Sequence, residues 1–197
     1  MTLSINRSVV VTVVSLACFS TQAALQNRDL NLDGTADAFY DSDLDITWLR
    51  DANVNGQMDW ANALDWASNF SFAGHSNWRL PTSDQCINVC IGSEMGHLYY
   101  VELGNPTGGP MTNTGEFQNI QTNLGYYSST LWNPNPNGVL SWRMNQGIQS
   151  PDGKDNLYFA FAVANGDISP IPEPESLALM LVGLGVVYGA ARPIRRT

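Results

Sequence analysis

Residues 77–85 read NWRLPTSDQ, and this string decides how the middle of the chain is built. Trp78 and Leu80 alternate with Arg79. A short extended segment would therefore bury both apolar side chains and send the guanidinium outward or onto an acid. Pro81 lacks a backbone donor and ends the strand. Thr82-Ser83-Asp84-Gln85 then has the spacing of a capping box, in which side chains satisfy the first free N–H groups of a helix. The reading is strand, proline stop, and a short second helix beginning at Thr82.

Working toward the N-terminus, Trp60, Leu64, Ala67 and Phe70 recur at helical spacing with Ala63 beside them, and Asp59 is the expected N-cap. Before that helix, residues 39–49 read as a hairpin-like β segment with Ile46 and Trp48 on one face. Toward the C-terminus, 125–131, 139–144 and 157–164 are rich in aromatic and β-branched residues and read as strands. Pro and Gly gather at 104–110, 133–138 and 150–153, which read as loops. The order predicts an α+β fold with two helices and a mainly antiparallel sheet joined by long loops.

Both ends of the 197-residue chain read as processing signals. Arg7 precedes an apolar run over 9–19 that closes in small and polar residues at Ala23 and Ala24. This is the pattern of a signal peptide over 1–23, too short to remain as a membrane span. From Ile171 the chain reads IPEPESLALMLVGLGVVYGAARPIRRT. Pro172, Glu173 and Pro174 keep the backbone extended. As a helix, 177–191 would rise about 22 Å against a hydrocarbon core of about 30 Å, sufficient for transient insertion. Arg192, Arg195 and Arg196 would hold the end on the cytoplasmic side.

The tail over 170–197 resembles the PEP-CTERM sorting signal in order, spacing and composition. The resemblance implies export by signal peptidase, then transient inner-membrane insertion and cleavage by an exosortase near Pro172-Glu173-Pro174. It further implies a final place at the cell surface or in the exopolysaccharide matrix, as in a biofilm, of a Gram-negative bacterium.

Between the signals lies one domain over 39–169, preceded by an Asp/Asn-rich segment over 24–38. From Ala24 to Ser169, five Lys and Arg stand against sixteen Asp and Glu, a balance that repels nucleic acid and anionic membranes. Six Trp, seven Tyr and seven Phe supply a core that a disordered segment lacks. Cys18 leaves with the signal peptide. Export then predicts that Cys86 and Cys90 pair as a structural disulfide, because two thiols alone make a poor zinc site.

Four strings occur in the order seen in a widespread bacterial domain: ITWLRDANVNGQMDWANALDWA, NWRLPTSDQ, YYSSTLW and LYFAFAVANGDI. That domain is similar to the C-terminal domain of the Legionella collagen-like adhesin. Its members resemble C-type lectins and the formylglycine-generating enzyme fold, which implies a lectin-like architecture over roughly 39–168. The familiar Arg-Pro-Gly-Asp turn is here Ala164-Asn165-Gly166-Asp167, which removes a positive charge and weakens a ligand role at that loop.

Two chemistries stand out. Asp29, Asn31, Asp33 and Asp37 place oxygen side chains at alternate positions around Gly34, a spacing that suits a Ca²⁺ loop or an Asx-rich turn equally. Asp51, Asn53, Asn55 and Asp59 repeat the pattern, but Asp59 is already wanted as a helix cap. Trp132, beside the loop at 133–138, is the candidate platform for stacking on a sugar ring, whereas Trp48, Trp60 and Trp78 belong to the core. No zinc-protease, serine-hydrolase, phosphate-loop or nicotinamide motif occurs, and neither His75 nor His97 has ligand spacing. The expectation is a non-enzymatic surface protein that binds glycan or calcium; the alternative is a secreted enzyme acting on polysaccharide.

Overall fold

The computed structural model describes residues 25–170. The signal peptide and the sorting motif with its arginines therefore lie outside the described residues. Chain order begins with β1 (Gln26–Arg28), β2 (Ala38–Asp41), β3 (Ile46–Leu49) and β4 (Gln57–Met58). Then come α1 (Trp60–Asn69), β5 (Trp78–Arg79) and α2 (Glu94–His97), which runs straight into a π-helical turn over Leu98–Glu102. The rest is β6 (Gly125–Leu131), β7 (Gly138–Arg143), β8 (Ile148–Gly153), β9 (Tyr158–Phe159) and β10 (Val163–Asn165). The class is α+β, with two short helices as expected. The strands form two five-stranded sheets, however, and not one: β1-β2-β3-β10-β5 and β4-β9-β6-β7-β8. The first is antiparallel throughout, and the second has a single parallel contact, Tyr126 with Phe159.

Phe39, Trp48 and Val163 of the first sheet and Tyr126, Trp142 and Phe159 of the second share one buried cluster, so the main core lies between the sheets. Phe161 holds that core together: its ring centroid is 5.1 Å from Trp48, 5.6 Å from Phe117 and 5.9 Å from Tyr126. Each buried ring contributes up to about 3 kcal/mol by leaving water, and each well-set aromatic pair about 1 kcal/mol more. Residues 157–164 were expected as one strand. The chain instead leaves the second sheet after Phe159, buries 160–162 with Phe161 in the core between the sheets, and joins the first sheet at Val163.

The hairpin at 39–49 forms with Ala38 opposite Leu49 and Asp41 opposite Ile46. Helix α1 starts where Asp59 accepts a hydrogen bond from the Asn62 N–H at 2.9 Å. It buries Ala63 and Ala67, and Phe70 beyond its end packs 5.9 Å from Trp78.

Two further expectations fail. The helix expected at Thr82 does not form there. The Thr82 N–H donates to Glu94 Oε2 at 2.8 Å, Ser83 to Thr130 Oγ1 at 2.9 Å, and Asp84 to Ser93 Oγ at 2.9 Å. Distant side chains take the donors that a local cap would have used, and the helix begins twelve residues later, at Glu94. The loop expected at 150–153 is the last four residues of the six-residue β8. That strand lies at a sheet edge, where the missing donor of Pro151 costs no ladder bond.

Candidate functional site

The NWRLPT string positions the site without belonging to it. Trp78 and Leu80 are buried, and Arg79 pairs with an acid as expected: Nη1 and Nη2 reach the two oxygens of Glu94 at 2.8 and 2.7 Å. Its Nε donates to Asn165 Oδ1 at 2.8 Å, so one guanidinium fixes the first residue of α2 to the end of β10. Cys86 and Cys90 form the predicted disulfide, with Cα atoms 5.8 Å apart. The loop it closes lies directly against α2, where a Cβ on Gly96 would stand 1.9 Å from the Cys90 carbonyl oxygen.

The residue after Gly96 is His97, whose Nε2 faces three carboxylates. Glu102 Oε1 is 3.3 Å away, Asp41 Oδ2 3.8 Å and Asp43 Oδ2 4.0 Å. The Glu102 and Asp41 side chains are 1% and 0% exposed, while Asp43 is 47% exposed and marks the open side. Asp41 ends β2, and its Oδ1 accepts the N–H groups of Asp43 and Leu44 that shape the turn into β3. Its Oδ2 has no hydrogen-bond partner, and neither does Glu102 Oε2. Burial pushes the Asp41 carboxyl above the usual carboxylate range, opposed by the turn N–H groups, by His97 and by the indole N–H of Trp48. Burial, and then the negative charge of Asp41, push Glu102 the same way.

Sequence reasoning missed this group for a geometric reason. Residues five apart on an α-helix lie about 140° apart around its axis. Here the chain passes into a π turn, with the Leu103 N–H bonded to the Leu98 carbonyl, and the wider turn brings Glu102 back to His97. The remaining member comes from a strand more than fifty residues away. The histidine was visible; its partners were not.

The expected calcium segment folds into consecutive Asx turns. Asp29 accepts from the N–H groups of Asp33 and Gly34, Asn31 from Asp33, and Asp33 from Thr35. Asp37 Oδ2 accepts from Leu30 and Asn31. In the second segment, Asp51 accepts from the Asn53 N–H and the Asn119 amide, and Asp59 caps α1. A cavity of about 450 Å³ brings the two segments together, with Asp33, Asp37 and Asp51 on its wall beside Arg50, Phe70 and Phe72.

Trp132 is half-buried at the β6–β7 connection. It borders a cavity of about 380 Å³ together with Asn135, Asn137 and Asp152. The loop is held by hydrogen bonds from Trp132 N–H to the Gly138 carbonyl and from Gly138 N–H to the Asn135 carbonyl. Gly138 leaves room for the indole, since a Cβ there would meet Trp132 Cβ at 3.3 Å. Asp152 is committed inward to Arg143 and Tyr158 at 2.8 and 2.9 Å. At the altered turn, Asp167 pairs with Arg28 of β1 through Oδ2 at 2.8 Å, which gives that acid a structural partner.

No curated protein and no solved structure matches the chain. A family model described as the Lcl C-terminal domain matches residues 37–164. The matched span runs from the start of the β2–β3 hairpin to β10 and contains the disulfide, the Asp41–His97–Glu102 group and Trp132. Asp29, Asn31 and Asp33 fall before it. The chain belongs to the Lcl C-terminal domain family.

Proposed function

We propose that this chain is an exported, non-enzymatic protein of the bacterial surface or exopolysaccharide matrix, whose lectin-like domain contacts glycan at the Trp132 cavity. The observation that carries the reading is the cavity itself. An aromatic face beside the side chains of Asn135 and Asn137 offers stacking and hydrogen bonding together, the pairing that a sugar ring requires. Neutral amides suit an uncharged glycan, and the net charge of −9 disfavours a polyanionic one. Export, signal-peptidase processing and exosortase cleavage rest on the sequence of the two ends, as does transient membrane insertion. Membership of the C-type-lectin-like superfamily rests on the four quoted strings.

The test is a glycan array probed with wild-type protein and with Trp132→Ala, run beside a reducing-sugar release assay on the same polysaccharides. The expected result is glycan retention that falls at least about tenfold in the variant, with an unchanged melting temperature and no sugar released. Catalytic release of sugar by the wild type would replace this reading with the secreted-enzyme alternative. Intact mass of the surface protein tests the sorting half. The expected C-terminus lies near Pro172-Glu173-Pro174, and retention of Thr197 would leave only a permanent anchor.

A further inference from the structure

We propose that Asp41, His97 and Glu102 form a binding site for a divalent transition-metal cation of the zinc class, with Asp43 or water in the fourth position. One ligand atom from each of the three residues lies within 4.8 Å of the others. Convergence of acids is common on acidic proteins, but this group has a feature that surface clusters lack. Asp41 Oδ2 and Glu102 Oε2 are buried and make no hydrogen bond of ordinary geometry; the unpaired Trp48 indole N–H faces the Asp41 carboxyl, and Glu102 Oε2 has no such donor. A buried polar atom left unpaired is costly, and a bound cation is one way such atoms are satisfied in native folds. A single imidazole does not balance the group, because one positive charge at most faces two buried carboxylates. A divalent cation neutralises both and takes the Nε2 lone pair as well.

The nitrogen ligand selects among cations. Ca²⁺ and Mg²⁺ take oxygen ligands, whereas zinc accepts imidazole and carboxylate together. Zinc ligands at about 2.0–2.1 Å in a tetrahedron stand about 3.3 Å apart. The separations from Nε2 are 3.3, 3.8 and 4.0 Å, and the ligand atoms of Asp41, His97 and Glu102 lie within 4.8 Å of one another, so binding requires a contraction of up to about 1.5 Å. The π turn has a purpose in this reading, since it is what sets His97 and Glu102 side by side. Bound metal would join the β2–β3 turn to the π turn after α2, two segments otherwise held by side-chain packing.

The experiment uses the full chain stripped with a chelator, then titrated with zinc chloride by calorimetry and melted with and without zinc. One zinc per site and a melting temperature raised by about 5 °C at saturating metal are expected. Glu102→Gln and Asp41→Asn should each weaken zinc at least about tenfold. Glu102→Gln discriminates further: it removes a buried charge, so the metal-free variant should melt no lower than wild type while losing the zinc shift. Asp29→Asn, in the loop of Asx turns, should keep the full zinc response. Absence of a zinc shift in the wild type would overturn the proposal, as would an undiminished shift in both cluster variants. A larger shift with calcium than with zinc, lost in Glu102→Gln, would overturn the choice of cation.

Discussion

Two acid-rich regions of this chain look alike in composition and differ in what their oxygens do. Over residues 29–37 the Asp29, Asn31, Asp33 and Asp37 side chains all turn onto backbone N–H groups a few positions away, and the segment satisfies itself. At Asp41, His97 and Glu102, residues from β2 and from the helix after β5 meet, and two buried oxygens remain unpaired. Regular spacing of oxygen side chains therefore marks a turn as readily as a ligand set. The better sign of a ligand set is hydrogen-bonding capacity left over once the fold is complete.

The contrast makes the assembled cluster depend on its frame, and Gly96→Ala strikes that frame hardest. The added methyl would stand 1.9 Å from the Cys90 carbonyl oxygen and 2.8 Å from its carbon, both backbone atoms in a loop closed by the disulfide. A loss of about 3 kcal/mol is expected. Thermal unfolding should then fall by roughly 6–12 °C, with weaker zinc binding because His97 moves with the helix. A variant that melts like wild type would show that the loop yields easily and that the cluster is less rigidly framed than the geometry indicates.

Arg79→Ala tests the same frame from its other side. It leaves Glu94, 13% exposed at the side chain, without its bidentate partner and frees α2 from β10. The pair is only partly buried, so about 2 kcal/mol is expected, below the cost of breaking a fully buried pair. Chemical denaturation should show a lower midpoint with an unchanged slope.

The smallest effect belongs to the self-satisfied region. Asp29→Ala with Asp33→Ala removes three hydrogen bonds to exposed backbone donors, worth about 1 kcal/mol in total and roughly 2–4 °C of melting temperature. Millimolar calcium should leave the wild-type midpoint within about 1 °C. A calcium-dependent rise that vanishes in this double variant would erase the contrast and make the loop a metal site after all.

What was legible in the sequence is what depends on neighbours in sequence. Trp60, Leu64 and Ala67 announce α1, Asp59 announces its start, and the alternation around Trp48 announces the hairpin, because each is a local periodicity or a local hydrogen bond. The disulfide was legible from the expected export and the cysteine spacing. The second helix was misplaced because the capping-box pattern at Thr82 competes with Glu94, Thr130 and Ser93, which lie far along the chain and win its donors. β8 was hidden because proline and glycine read as a loop unless the strand is known to be an edge. The cluster at His97 was hidden twice over, by a π turn that breaks helical phase and by a partner on a remote strand.

The passage of residues 158–165 from one sheet to the other also has a mechanical consequence. Tension applied from the C-terminal side first meets Asp167, which grips Arg28, and then β10, which is hydrogen-bonded along both flanks to β3 and β5. Behind β10, the same segment is rooted in the second sheet through β9 and wedged by Phe161 among Trp48, Phe117 and Tyr126. To draw this end out, a force would have to peel two interfaces and uproot an aromatic wedge together. The opposite end offers β1, a three-residue edge strand with one neighbouring strand, held besides by the same Arg28–Asp167 pair. A domain built this way tolerates being tethered by its C-terminal side and frays from the other.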